Sequence, residues 1–178
     1  VIGNGDILTW YEAADLKERS GCASVMVGRG ALIKPWLFRE IKEQKEFEPT
    51  AEQRVSIYRQ FLQFMKEHFR DDEKGRKRAM FFLPWHFGFF CRYRPLPAAQ
   101  YREQSKQHPL MQTRLPDLDE VSPLEAVLRD PRETVHAKLA GAFWAAQSDE
   151  DAIASCMQIF ETDPPQGGES AEVAVAHG

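Results

Sequence analysis

Two short apolar runs, each ending in a glycine-containing turn, constrain the fold of this chain more than any other feature of its sequence. Residues 1–3 lead into the turn 4–6 (Asn-Gly-Asp), and residues 24–27 lead into the turn 28–30 (Gly-Arg-Gly). A short apolar run bounded by glycines is typical of a buried parallel strand, and a stretch with helical periodicity follows each turn. The order strand, turn, helix, strand, turn, helix therefore predicts two consecutive β/α units.

Local signals predict where the first helices begin and end. Thr9 with Glu12 three residues later predicts a capping box at the start of the first helix. Gly21 is expected to end that helix, because glycine readily adopts the left-handed conformation of a helix C-cap. A second helix is expected from residue 31 to about residue 46, with Pro35 near its start.

After residue 48 the pattern becomes purely helical. Thr50 and Gln53 predict another capping box, and helical periodicity continues to residue 161 without a candidate strand. Pro84 lies inside an aromatic-rich helix and is expected to kink it. We expect the neighbouring rings, Trp85 among them, to be core, with stacking of an RNA base as the minor alternative. Residues 162–178 are poor in apolar side chains and rich in Gly, Pro and Glu, which predicts a disordered tail.

Charge is distributed unevenly along the chain, although the net charge is only −4. Residues 50–115 carry 13 basic and 6 acidic side chains, whereas residues 116–178 carry 3 basic and 13 acidic ones. A basic middle segment indicates a surface that faces a polyanion, although a solvated helix face gives the same pattern. No apolar run approaches the roughly 20 residues of a membrane helix, and three widely separated cysteines predict neither a metal site nor a disulfide framework.

The two glycine turns also suggest a chemistry. Glycine lets backbone N–H groups approach an anion closely, a helix N-terminus adds partial positive charge, and Arg29 can contact phosphate with its forked guanidinium. In a β/α barrel the loops after the seventh and eighth strands often form such a phosphate site. We therefore expect an α/β part followed by an all-α part, and the spacing of the two turns suits adjacent strands of such a barrel.

Three segments carry a resemblance to a known family. VIGNGDI and VMVGRGALIKPWLFREIKEQ resemble the end of the catalytic domain of tRNA-dihydrouridine synthases, and GRKRAMFFLPWHFGFFCRYRP resembles the helical-domain signature of that family. The resemblance covers about residues 1–95, and the eukaryotic branch that reduces the variable-loop uridine is the most similar. It implies a flavin enzyme in which residues 1–48 are the last two β/α units of a TIM-type barrel that binds FMN. Residues 49–161 would then form a helical tRNA-binding domain. Because a barrel needs eight strands and about 250 residues, we expect the chain to be the C-terminal part of a longer enzyme and to be inactive alone.

The resemblance also implies particular site residues. It implies FMN as cofactor, with NADPH or NADH as reductant, and a site for the FMN phosphate formed by Asn4, Gly5, Asp6, Gly28 and Arg29. The candidates for contacts with tRNA phosphates are Arg76, Lys77, Arg78, Arg92 and Arg94.

No catalytic residue is expected in this chain. The family's catalytic cysteine, and the lysine and histidine near its flavin, belong to earlier strands and loops, so Cys22, Cys91 and Cys156 match no catalytic position. The resemblance further implies a full-length monomer that lies in the cytoplasm, the nucleus or both. We expect tRNA as the partner, and neither a metal nor a membrane.

Two alternatives remain open at this point. The helical part could act by itself as an RNA-binding module, or another FMN- or phosphate-binding β/α-barrel oxidoreductase could carry the same turns. The basic, aromatic helical extension argues against the second alternative, because an enzyme for small molecules does not need it. The sequence determines neither the target uridine nor the choice between NADPH and NADH.

Overall fold

A computed structural model describes residues 1–116 and 121–165. Most of the predicted tail, residues 166–178, lies outside the described residues, and the last helix includes Thr162. In chain order the elements are β1 (Ile2–Asn4), α1 (Trp10–Ser20), β2 (Ser24–Met26), α2 (Arg29–Ile33), α3 (Leu37–Glu43), α4 (Ala51–Phe69), α5 (Glu73–Phe90), α6 (Ala98–Gln107), a 3₁₀ turn (Leu110–Gln112), α7 (Pro123–Leu128), α8 (Glu133–Ala145) and α9 (Asp149–Thr162).

The N-terminal elements form the predicted parallel pair of strands. β1 and β2 are hydrogen-bonded neighbours in parallel register, with Asn4 opposite Met26, and α1 connects them. The capping box of Thr9 and Glu12 is present at the start of α1, and Gly21 ends the helix at a φ of 64°. Neighbouring parallel strands end at the same edge of a sheet. The two glycine turns, which follow β1 and β2, therefore lie side by side.

The expected helix over residues 31–46 is instead two helices. α2 ends at Ile33 and α3 begins at Leu37, with Pro35 between them. Proline lacks the N–H that would continue the ladder of hydrogen bonds, and its ring disfavours helical geometry in the preceding residue. The break is held by a buried ion pair, in which Lys34 Nζ lies 2.7 Å from Glu40 Oε2.

Aromatic side chains form the core of the helical part. α5 packs most extensively against α8, and both helices contact α4. The ring of Tyr58 stacks on Phe90 with centroids 4.2 Å apart, and Phe87 contacts Phe143 edge-to-face at 5.3 Å. α5 continues without interruption across Pro84. The expectation that all the rings near Pro84 are core is wrong for Trp85, which is 55% exposed.

The segment from residue 96 to residue 112 returns to the β/α unit. Tyr11 Oη donates a hydrogen bond to the Leu96 carbonyl at 3.2 Å, and Arg102 Nη2 donates to Asp15 Oδ1 at 2.7 Å. α6 consequently packs against α1, while α4, α5, α7, α8 and α9 pack together as the helical core. This return places the 3₁₀ turn beside the first glycine turn.

A buried ion pair joins α4 to α7. Arg54 is the largest fully buried side chain of the described residues, and its guanidinium donates to the Glu125 carboxylate. The same guanidinium lies over the ring of Tyr93, 4.9 Å from its centroid. Removing a charge from water is costly unless an opposite charge compensates it, so the buried Arg54 guanidinium depends on Glu125 as its counter-charge.

We predict that Glu125→Ala destabilises the protein by about 3–5 kcal/mol, because it leaves the Arg54 guanidinium buried without its counter-charge. Urea denaturation followed by circular dichroism measures the change. The matched control is Glu103→Ala, which removes an exposed carboxylate paired with Lys106 and should cost less than about 1 kcal/mol. Equal small losses for both variants would show that the Arg54 pair does not hold the helices together.

Candidate functional site

The two glycine turns line one open pocket of about 650 Å³. All five residues expected to bind a phosphate contribute to its wall, together with two residues from the segment that follows α6. The lining residues are Asn4, Gly5, Asp6, Gly28, Arg29, Pro109 and Gln112. The parallel register of β1 and β2 explains this convergence, because it brings the ends of both strands to one edge.

The Asp6 carboxylate is the centre of the hydrogen bonds in this pocket. Arg29 Nη2 donates to Oδ1 and Gln112 Nε2 donates to Oδ2, so both carboxylate oxygens are satisfied. The hydrogen bond from Gln112 is the main cause that lowers the pKa of Asp6, and Arg29 adds to it. Asp6 is therefore ionised near neutral pH, and it holds a guanidinium that is still 56% exposed at the pocket.

Sequence reasoning missed Gln112. It lies 106 residues from Asp6 and belongs to no motif of the β/α unit. Only the return of the 3₁₀ turn to α1 brings its amide to the pocket. The backbone N–H of Leu110 fixes this return, because it donates to Glu12 Oε1 at 2.9 Å.

The glycines of the second turn have different roles. A Cβ atom added to Gly30 would lie 2.0 Å from the Ile7 carbonyl oxygen, so Gly30 allows close contact between the two turns. A Cβ added to Gly28 would meet no atom within 4 Å. Gly28 therefore borders free space, whereas Gly30 has a packing role.

The N-terminus of α1 carries a carboxylate of its own, that of Glu12. Glu12 Oε2 accepts hydrogen bonds from the backbone N–H groups of Leu8 and Thr9 at 2.9 and 3.0 Å. This carboxylate places a negative charge in the first turn of the helix, where it offsets the helix dipole. Recognition of an anion here consequently depends on the turns themselves and on Arg29.

The basic residues predicted for RNA contacts form two groups along α5. Arg76, Lys77 and Arg78 are exposed in its first turns, and Arg92 and Arg94 follow its last residue. The rise of an α-helix separates Arg78 from Arg92 by about 20 Å. The structure thus brings the members of each group together but keeps the two groups apart.

Arg92 and Arg94 line a large open pocket of about 1050 Å³. Two further arginines that sequence reasoning did not single out, Arg114 and Arg129, line it as well. Arg94 Nη1 is anchored by a hydrogen bond of 2.6 Å to the Pro116 carbonyl. We call this cavity the arginine pocket. Its charge is suited to phosphate groups, because guanidinium donors match phosphate oxygens in geometry.

The only acidic side chain among the described residues that line the arginine pocket is that of Asp130. Its carboxylate is engaged by Arg132, whose Nη2 lies 2.7 Å from Oδ2. Among the described residues, the lining of the pocket therefore carries four arginines and one carboxylate that is already paired.

The cysteines are in surroundings that suppress their reactivity. Burial raises the pKa of Cys91 to about 11 and that of Cys156 to about 12, and Cys22 is buried as well. A reactive cysteine needs a lowered pKa and access to solvent. Within residues 1–116 and 121–165, no cluster of three His, Cys, Asp or Glu side chains could hold a metal ion, and no helix is long and apolar enough to cross a membrane.

Comparison with known proteins identifies the family of the chain. Residues 1–127 match the family model described as "Dihydrouridine synthase (Dus)". No solved structure is significantly similar to the chain.

Curated relatives carry the name tRNA-dihydrouridine(47) synthase-like, with NAD(P)(+) in the same name. The protein from Rattus norvegicus is 37% identical over 144 residues, which are 81% of this chain and 20% of that protein. The Homo sapiens protein is 36% identical over 145 residues, which are 81% of this chain and 20% of that protein. The Mus musculus protein is 44% identical over 96 residues, which are 54% of this chain and 15% of that protein. The chain thus spans about a fifth of the length of these relatives. It belongs to the dihydrouridine synthase family.

Proposed function

We propose that this chain is the C-terminal part of a tRNA-dihydrouridine synthase, which reduces uridine in tRNA with FMN and with NADPH or NADH. The observation that carries the proposal is that both glycine turns and Arg29 line a single pocket, in a chain of this family. The names of the relatives, which include tRNA, dihydrouridine(47) and NAD(P)(+), support the substrate and the nicotinamide reductant. We further propose that residues 1–48 are the last two units of a β/α barrel.

The residues of the pocket fit the phosphate group of FMN. Gly28 borders free space, and the exposed Arg29 guanidinium can make a charge-assisted hydrogen bond to phosphate. Asp6 would repel a phosphate if its charge were uncompensated. Arg29 and Gln112 satisfy both of its oxygens, so the carboxylate can position these two donors while its own charge is offset.

Under this proposal the chain binds and orients rather than performs the proton transfer. FMN, when bound and reduced by NADPH or NADH, would supply the hydride for reduction of the uracil ring. Arg29 and the turn residues hold the phosphate end, and Asp6 keeps the guanidinium in place. None of the cysteines here is assigned as the proton donor, because burial makes Cys91 and Cys156 weaker acids than a free cysteine.

We propose that the helical part binds tRNA through its two basic groups. The arginine pocket and the exposed cations at the start of α5 carry charge that suits phosphate contacts, which position RNA without reading its sequence. The complete enzyme is proposed to act as a monomer in the cytoplasm, the nucleus or both.

Replacing Arg29 by Gln tests the cofactor site. In the complete protein we expect FMN affinity to fall about tenfold to a hundredfold, since a hydrogen bond to a charged group contributes about 1.5–3 kcal/mol. Flavin fluorescence titration measures the dissociation constant, and the rate of dihydrouridine formation in tRNA should fall at limiting FMN. Arg39→Gln, which removes an exposed guanidinium paired with Glu43 on α3, is the control and should leave FMN affinity unchanged. A wild-type protein that binds no FMN would contradict the proposed function.

Replacing Gly28 and Gly30 one at a time by alanine should distinguish the glycine that borders the ligand from the glycine that is needed for packing. Gly30→Ala should destabilise the protein by about 1–3 kcal/mol, because its Cβ would clash with the Ile7 carbonyl. Gly28→Ala should leave the melting temperature nearly unchanged but weaken FMN binding, because its methyl group enters free space at the pocket. Thermal denaturation and flavin titration of both variants check this contrast, and the reverse pattern would contradict the assigned roles.

Glutamine at Arg92 or Arg94 should weaken tRNA binding several-fold, without a preference among tRNA sequences. Each variant should also reduce the slope of log K against log salt concentration by about one, because one phosphate contact fewer releases fewer counterions. Fluorescence anisotropy at several salt concentrations measures both effects. Arg19→Gln, at an exposed position of α1, is the control. Unchanged slopes for the Arg92 and Arg94 variants would contradict an RNA role for the arginine pocket.

A further inference from the structure

One face of α5 carries cations and exposed aromatic rings in a single line. Lys74, Arg78, Phe81 and Trp85 are spaced by four, three and four residues, which places them on the same face of a helix. All four are exposed, with Phe81 80% and Trp85 55% accessible. We call these four residues the α5 stripe.

The opposite face of α5 supplies its core contacts. Ala79, Leu83, Phe87 and Phe90 are all buried there. The helix is therefore anchored without Phe81 and Trp85, whose rings take no part in the core that the described residues form. Monomeric proteins rarely expose large adjoining apolar groups, and such a patch marks an interaction site.

The rings of the stripe continue into neighbouring rings and reach the arginine pocket. Trp85 contacts Phe89 edge-to-face at 4.9 Å, and the Arg92 guanidinium lies 5.8 Å from the centroid of Phe89. Arg92 in turn lines the arginine pocket. The exposed rings thus lie between two groups of cations, one at each end of α5.

The charge of this face identifies the kind of partner. Glu73, in the first turn, is the only acidic residue of α5, whereas Lys74, Arg76, Lys77 and Arg78 are basic. Cations flanking flat exposed rings suit a polyanion that also presents flat apolar groups, which describes a nucleic acid with unpaired bases. Bases within a duplex are already stacked on each other, so single-stranded loop nucleotides fit this surface.

We propose that the α5 stripe stacks unpaired bases of RNA on Phe81 and Trp85, while Lys74 and Arg78 contact the adjoining phosphates. This inference rests on the proposed function and adds a mode of recognition to it. Phosphate contacts alone would position the tRNA, whereas stacking would favour RNA in which loop bases are accessible.

Leucine substitutions test the stacking, because they keep an apolar side chain but remove the aromatic face. In the complete protein, Trp85→Leu and Phe81→Leu should each weaken tRNA binding about tenfold, and Trp85→Phe should restore most of the affinity. Phe38→Leu is the matched control, since Phe38 is an exposed ring on α3 outside the stripe. Circular dichroism verifies that each variant is folded.

Two arginine-to-glutamine variants test the contribution of positive charge to RNA binding. Arg78→Gln should weaken binding and reduce the salt slope by about one. Arg19→Gln makes the same change of charge at an exposed position of α1, outside the stripe and both basic groups, and should leave binding and the salt slope nearly unchanged. Equal effects of the two variants would show that charge alone, and not the stripe, matters.

A spectroscopic readout completes the test. Trp85 is the most exposed of the tryptophans, so stacking of a base on it should quench part of the intrinsic fluorescence during titration with tRNA. The quench should disappear in Trp85→Phe although binding persists. One outcome is that the wild-type protein binds tRNA with a salt dependence, while both leucine variants bind tRNA equally well and still show the fluorescence quench. In that case the stacking proposal is wrong and the proposed function stands. If the wild-type protein binds no tRNA at any salt concentration, both are wrong.

Discussion

The Glu12 carboxylate holds together parts of the chain that are nearly a hundred residues apart, and the candidate sites depend on it. One of its oxygens accepts from the N–H groups of Leu8 and Thr9 and thereby sets the start of α1. The other accepts from the N–H of Leu110 and thereby fixes the 3₁₀ turn against the β/α unit. Gln112 follows two residues later, so its contact with Asp6 is a consequence of the same carboxylate.

Internal ion pairs use a large part of the basic middle segment. Arg54 pairs with Glu125, Arg59 with Asp149, and Arg102 with Asp15. The acidic partners lie mostly outside residues 50–115. The contrast between the basic middle segment and its acidic neighbours therefore arises partly from ion pairs within the fold. The cations that remain at the surface are concentrated on α5 and around the arginine pocket, and these are the ones that matter for a polyanion.

Local signals in the sequence predicted the local structure well. The capping boxes at Thr9 and Thr50 and the C-cap at Gly21 depend only on neighbouring residues, and all three are present. The meeting of the two glycine turns was also predictable, because parallel strands of consecutive β/α units end at one edge. The split between α2 and α3 was not predicted, because apolar periodicity continues across Pro35 and proline is also common near the start of a helix.

Features that depend on distant contacts were not predictable. The sequence contains no signal that brings Gln112 to Asp6, because the position of Gln112 follows from the packing of α6 on α1. Trp85 was assigned to the core because it lies in an aromatic run, and only the orientation of α5 against α8 decides which rings of that run face inward. The role of Gly30 was likewise hidden, because its close neighbour is the Ile7 carbonyl of the other turn.

The 3₁₀ turn and its flanking residues have a geometric consequence for both pockets. Pro109 and Gln112 face the pocket of the glycine turns, whereas Leu110, Met111, Thr113 and Arg114 line the arginine pocket. Six consecutive residues are therefore a shared wall between the two cavities. A rigid shift of this wall changes the widths of both together, and a substitution that reshapes one pocket alters the support of the other. A single stretch of backbone therefore couples the shapes of the two sites.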